Sequence, residues 1–345
     1  GATAVIANSS VAFIPIGILL ATSLGYDKFT GFLIIYMGAF SGFNVGWANI
    51  ATIGTAQPFA ELPIFSGFTA RFVIYVINVS LCYFFTVRYM HRIKKNYTTS
   101  LNYADGISET EVLGLGAMGN CSTNTTDIPL TNKHIVSLLG LLAAIIALLF
   151  GSIKLDWGYN QMSACFFALS VFAGLVNGYG IEGTSSGFLK GCKSCLGAAF
   201  IIGFSNGISV VLMQGHILDT IVHWLSIPLA YLTPIASANF MFIANTIIDF
   251  FIGSGSGQAI AVMPLMVPLA DLTGVTRQVA VQAFQFGDGF SNCIYPNSAT
   301  LMACLSLVGV QWGKYGKWMV PLLICQAILA FASLTILQYV GWMGI

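Results

Sequence analysis

The sequence predicts an all-α membrane protein of inverted-repeat transporter type, with two re-entrant hairpins and two broken transmembrane helices. Three observations carry this. The chain is 57% hydrophobic and only 7% charged, with a mean hydropathy of +0.83, whereas about a quarter of the residues of a soluble domain are charged. Its apolar stretches approach about 20 residues and contain Gly and Pro, as spanning helices do, and do not alternate over about ten residues like barrel strands. A pattern also occurs twice: Pro15, Gly25, Gly42-Phe43 and Asn49-Ile50-Ala51-Thr52 return as Pro264, Gly274, Gly289-Phe290 and Asn297-Ser298-Ala299-Thr300. Polar interruptions at matching places in two apolar halves mark the binding site of such transporters.

In chain order, residues 10–24 form a short apolar arm, 29–40 lead into an interruption at 41–49, and 50–62 continue beyond it. The second copy has arms at 236–252 and 259–272 around a Gly-Ser-Gly tip at 253–258, then 277–286, a break at 287–297, and 298–310. Full spans are expected at 68–89, 135–153, 162–179, 196–213 and 318–340, each close to bilayer thickness. The resulting partition is a partial first repeat over 1–95, a polar cytoplasmic linker over 96–133 and a second repeat over 134–345. The latter divides into scaffold spans (134–235), hairpin (236–272), broken helix (277–311) and closing span (318–340). Only the second copy is preceded by a three-span block, so the repeat predicts roughly 100 to 130 residues ahead of Gly1.

Charge sets the orientation. With the cluster Arg88, Arg92, Lys94 and Lys95 in the cytoplasm and the spans alternating, ten of the thirteen Lys and Arg fall inside, the bias of the positive-inside rule. The two hairpins then open to opposite sides, and the sequons at Asn120 and Asn124 face the side where glycosylation does not occur. A net charge of +1 offers no basic surface for nucleic acid.

Non-helical backbone at membrane depth survives only inside protein or along a watery cavity. The breaks therefore point to a polar site, with Asn8, Ser9, Ser10, Asn44, Asn49 and Thr52 as candidates in the first copy. The second contributes Ser254, Ser256, Gln258, Asp288, Ser291, Asn292, Asn297, Ser298 and Thr300. Their hydroxyl and amide oxygens suit Na⁺, and N–H groups at half-helix N-termini suit a carboxylate. The bland alternative is that such residues only tie helices together. Asp288, between two glycines, and Asp249, in an apolar run, are the acids expected to lie deep, as proton relay, cation site or counter-charge. Arg71 and Arg277 are placed near the interfaces, where long side chains snorkel. No cofactor is expected; Na⁺ or H⁺ is the candidate coupling ion. Cys192 and Cys195 have no partner set for a metal, His216 and His223 belong to a loop surface, and the Gly-rich tip lacks the strand and Gly-Lys-Ser/Thr of a phosphate loop.

The runs Ser254-Gly-Ser-Gly-Gln-Ala259, Met263-Pro-Leu-Met-Val-Pro-Leu-Ala-Asp-Leu272, Arg277-Gln278 and Phe284-Gln-Phe-Gly-Asp-Gly-Phe290 resemble the C-terminal signature of the anaerobic four-carbon dicarboxylate carrier (DcuC) family, in its YfcC-like branch. Gly25-Tyr-Asp27, Gly54-Thr-Ala-Gln57 and Leu62-Pro-Ile-Phe-Ser-Gly67 resemble that branch's first half. The resemblance implies the ion transporter superfamily, with inverted repeats, re-entrant hairpins, elevator-like movement and a homodimer. It also implies a substrate among dicarboxylates and basic amino acids of the arginine/ornithine type. Two departures stand out. Asn8-Ser9 precedes Phe13-Ile14-Pro15 where relatives carry a glutamate pair, and Asn49-Ile50-Ala51 replaces Asn-Pro-Phe, so an arginine-like substrate does not follow from the family alone.

The leading expectation is a secondary transporter or exchanger of a small carboxylate-bearing solute, a dicarboxylate or an amino acid, working in the bilayer. A basic amino-acid antiporter is the alternative within that class, and an ion channel the alternative outside it. An intramembrane enzyme would need a catalytic set at mid-membrane, and the four His lie towards the interfaces.

Overall fold

The computed structural model describes residues 6–49, 51–103, 112, 132–154, 159–215, 217, 220, 223–224 and 227–344. Both sequons, His216 and most of the predicted linker lie outside these residues, as do the side chains of Asn8, Ser9 and Cys195.

All regular elements among the described residues are helical. In chain order they are α1 (Ile6–Ser23), α2 (Lys28–Phe43), α3 (Ile53–Phe59), α4 (Phe68–Lys95), α5 (Asn132–Lys154) and α6 (Tyr159–Val176). These are followed by α7 (Gly180–Gln214), α8 (Pro234–Asp249), α9 (Gly255–Thr273), α10 (Arg277–Ser291), α11 (Ala299–Val308) and α12 (Trp312–Tyr339). α4, α9 and α12 are long and apolar enough to cross a membrane. At 1.5 Å per residue, the 28 residues of α4 and of α12 reach about 42 Å.

Local sequence explains the boundaries. Gly25 and Gly274 adopt left-handed backbone (φ 76° and 73°) and end α1 and α9. Asp27 and Thr276 then cap the next helices, accepting from Thr30 N and Val279 N. The order of helix, left-handed Gly, cap, helix, break, short helix and 28-residue helix therefore occurs in both halves. α2 contains a π-helical turn over Leu33–Met37 that the periodicity did not announce.

Three boundaries around the interruptions differ from expectation. The hairpin tip shrinks to 250–254, because Ser254 caps α9 through Gly257 N and places Ser256 and Gln258 inside the helix. α2 continues to Phe43. α10 continues to Ser291, so Asp288 lies in its last turn and not in a break. The glycines beside Asp288 serve close approach: a Cβ on Gly287 would lie 2.5 Å from Asn245 of α8, and one on Gly289 would lie 2.5 Å from the Asn44 backbone. Small residues let the backbones meet without unwinding the helix.

The chain forms two compact units. One comprises Met118–Leu196, where α5 and α6 pack together, Gly140 seats the Phe172 ring and Asn177 donates to Ser137 Oγ at 2.9 Å. The other comprises Gly1–Ala117 with Gly197–Ile345, and in it the two halves exchange contacts. α3 packs on α9, and reciprocally α11 packs on α1. Ile53, Ala56 and Ala60 meet Ala259, Met263 and Phe284. The face of α2 carrying Phe29, Phe32 and Tyr36 meets Leu301, Cys304 and Tyr315. Residues 96–103 close one end: Ser100 and Tyr89 donate to Asp27 Oδ2 (2.5 and 2.6 Å), and Asn102 donates to Val308 O (2.7 Å).

Gly289→Ala should destabilise the protein by about 1–3 kcal/mol, since its methyl overlaps fixed backbone. Gly313→Ala, with nothing within 4 Å of the added methyl, should not. Thermal unfolding in detergent checks both.

Candidate functional site

A helix that stops inside a buried core leaves carbonyls without partners. Here side-chain amides from elsewhere in the fold take them up. α2 ends at Phe43, and Gln285 Nε2 of α10 donates to Phe43 O at 2.7 Å while Gln282 Nε2 reaches Val45 O at 3.4 Å. α8 ends at Asp249, and Asn297 Nδ2 donates to Asp249 O (3.2 Å) and Phe250 O (2.7 Å). The Asn44 amide nitrogen donates to Phe40 O and Gly289 O, both at 2.8 Å. Each break is thus closed by an amide projecting from another segment.

α10 is the centre of this arrangement. Its residues from Gln278 to Ser291 are all buried, yet Gln278, Gln282, Gln285, Asp288 and the adjoining Asn292 recur at spacings of 4, 3, 3 and 4, one polar stripe on one helix face. At one end of the stripe Arg71 of α4 is fully buried. Its Nε donates to Gln282 Oε1 and its Nη2 to Gln278 Oε1 (2.8 Å each), its Nη1 donates to Ser66 O (2.5 Å), and the guanidinium lies 5.2 Å from the Trp342 ring centroid. The expectation of a snorkelling Arg71 is therefore corrected: the polar stripe and Ser66 O supply the acceptors that water would have supplied. No described carboxylate pairs with it. Arg277 is half-exposed and bridges Glu61 (2.5 Å) and Asp271 (2.8 Å).

At the other end lie the acids. Asp249 and Asp288 are both fully buried. Ser291 Oγ donates to Asp249 Oδ2 at 2.5 Å. Asn292 Nδ2 reaches Asp249 Oδ1 at 3.5 Å and Asp288 Oδ1 at 3.1 Å, spanning the two carboxyls. Asp288 Oδ2 meets no donor. A Cβ at Gly255 would lie 2.6 Å from Thr52 Cγ2 and 2.9 Å from Asp288 Oδ2, so the first break, the start of α9 and the end of α10 converge there.

The structure therefore gathers Thr52, Asp288, Ser291 and Asn292 with Asp249, and places Asn297 on the hairpin tip. Asn49 is buried with its Oδ1 taken by Ala51 N (2.9 Å) and its Nδ2 without a partner; Thr52 Oγ1 is likewise unpartnered. Gln258 donates to Asn245 O (3.0 Å) and keeps Oε1 free. Ser254 and Ser256 are exposed. Ser10 sits beside Cys304, Ser298 beside Tyr36, and Thr300 is buried near the start of α11. Asn245, Gln278, Gln282 and Gln285 were not among the sequence candidates, although the 4-3-3-4 spacing in α10 is visible in the sequence. A cavity of about 270 Å³ touches Ser291 and Tyr295 but is otherwise walled mainly by apolar groups such as Phe242, Phe290 and Phe331. That lining does not suit a charged solute. Among the described residues no three His, Cys, Asp or Glu cluster as metal ligands.

An apolar helical chain with broken, amide-capped helices around buried charge is a multi-pass integral membrane protein of the transporter class. Comparison with known proteins gives the family: the C4-dicarboxylate anaerobic carrier (DcuC) profile matches residues 1–339, and the chain belongs to that family. It is 32% identical, over 98% of its length and 68% of the relative's, to the Escherichia coli (strain K12) protein named "Putative basic amino acid antiporter YfcC". It is 25% identical, over 97% of its length and 65% of the relative's, to a Haemophilus influenzae protein described as uncharacterized. The chain thus spans about two thirds of these relatives. No solved structure matches it.

Arg71→Lys should cost about 1–3 kcal/mol, because an ammonium cannot hold both glutamines and Ser66 O in the guanidinium's planar geometry. Denaturation in detergent measures this.

Proposed function

We propose that the protein is a secondary active transporter or exchanger of a small carboxylate-bearing solute, a dicarboxylate or an amino acid. In this reading it works by alternating access, coupled to Na⁺ or H⁺ or by exchange. One observation carries the reading: Asn49 Nδ2 and Thr52 Oγ1 of the first break and Asp288 Oδ2 of the last turn of α10 are all buried without partners, Thr52 and Asp288 meeting at Gly255. Buried polar groups left without partners are costly, and a transported solute would supply the missing ones. The reciprocal packing of α3 on α9 and α11 on α1 supports two inverted repeats whose hairpins, α8–α9 and its counterpart ending in α1, enclose the solute from opposite sides.

Basic amino-acid antiport is the second reading, favoured by the YfcC name and by the Asp249–Asp288 pair as counter-charge. The replacement of the family's acidic pair by Asn8-Ser9 weighs against it. A channel is disfavoured, because two hairpins with polar tips suit an occluded site better than a continuous pore.

The two break asparagines should behave differently. Asn49→Ala removes an amide whose donor is unspent and whose Oδ1 holds one backbone N–H, so it should abolish solute binding at a stability cost of about 1 kcal/mol. Asn297→Ala strips two carbonyls of their donor and should cost about 1–3 kcal/mol as well as activity. A thermal-shift screen of dicarboxylates, basic and neutral amino acids and Na⁺ on the full-length protein identifies the ligand, since a bound solute stabilises by mass action. Counterflow in proteoliposomes then compares the variants. Normal counterflow in both would defeat the break-site reading, and steady single-channel current would defeat the carrier.

A further inference from the structure

We infer that Asp249 and Asp288 form a single-proton site, with the proton held on Asp249 and shared towards the Asp288 carboxylate. This rests on the transporter reading above and assigns it a coupling ion. Asp249 is the last residue of α8 and Asp288 lies in the last turn of α10, so both carboxyls sit where the helix dipole is negative and an anion is disfavoured. The Asn292 amide nitrogen lies 3.5 Å from Asp249 Oδ1 and 3.1 Å from Asp288 Oδ1, so the two carboxyls are neighbours, and two like charges sharing a dry site do not both persist. No described Lys, Arg or His pairs with either. The local donors are one hydroxyl, Ser291, which also lies against Gly287 O, and one amide, Asn292. They leave Asp288 Oδ2 bare, and the buried Thr52 beside it adds an unpartnered hydroxyl.

The two acids are not equivalent. Asp288 also faces Gly255, the first residue of α9, whose opening turn presents N–H groups and favours negative charge. Asp249 has only the carbonyl end of α8 behind it. The negative charge therefore settles on Asp288 and the proton on Asp249. A metal cation fits less well, because the Asn292 amide hydrogens point at both carboxyls from the place a ligand oxygen would need. The other titratable groups acting on the pair are Cys293 and Tyr295, both from the segment after α10; Thr52 and Gly255, from the first break and from α9, are not titratable. Loss of the Asp249 proton leaves two adjacent carboxylates, so the pair must regain a proton or accept a cationic group before the site can close again.

The test uses the full-length protein in liposomes. Infrared spectra at neutral pH should show a protonated carboxyl C=O band that disappears in Asp249→Asn and shifts in Asp288→Asn, and that is indifferent to replacing NaCl by choline chloride. Uptake of radiolabelled succinate or arginine driven by a pH gradient should be lost in either variant. If one substitution prevents folding, the other still reads the band. Absence of the band in the wild type, its loss on adding NaCl, or gradient-driven uptake that survives both substitutions would overturn the proton site. A retained band without saturable uptake of any solute would overturn the transporter reading and leave the proton pair standing.

Discussion

A protein core cannot solvate a peptide group, and this protein stops helices there several times. Every other feature of its larger unit follows from how the released carbonyls are paired. Phe43 O and Val45 O at the end of α2 are taken by Gln285 and Gln282; Asp249 O and Phe250 O at the end of α8 are taken by Asn297. Because these donors come from other segments, no break can form alone. The helices must already be packed for the breaks to be tolerable, and the breaks fix how the helices pack.

The requirement explains why α10 is wholly buried and yet polar. A helix surrounded by protein ordinarily reads as apolar on all sides, but α10 must supply donors to the first break, acceptors to Arg71 and a carboxyl near α9. Its glycines serve the same end, since Gly287 and Gly289 let Asn245 and the Asn44 backbone approach closely enough for those bonds to be made. Arg71, enclosed by two glutamines, a carbonyl and the Trp342 ring, ties the start of α4 to the start of α10, far along the stripe from the acids. One buried positive group and one pair of acids thus lie at opposite ends of a single polar stripe.

Apolar runs, left-handed Gly25 and Gly274 and the caps Asp27 and Thr276 depend on neighbours in the chain, so the helices that they bound are legible in the sequence alone. The family resemblance is legible for the same reason, and the match over residues 1–339 bears it out. The deep placement of Asp249 and Asp288 is also readable, because carboxyls within apolar runs have few other places to go. The break boundaries are not: Gly287 and Gly289 look like helix breakers until the backbone that crosses them is known. Arg71 looks like a snorkelling side chain for a similar reason, since nothing in its own segment names Gln278 and Gln282 as its partners.

The sequence by itself determined the class of protein, the helices and the residue types gathered at the interruptions, because composition, periodicity and capping act over a few residues. Tertiary structure alone decided which of those residues are spent and which are free. Asn49 and Asn297 occupy matching places in the repeated pattern, yet Asn297 is bound to the tip of the hairpin while the Asn49 amide keeps its donor. Hydrogen bonding between segments far apart in the chain depends on distance and direction, and neither is written in a local pattern.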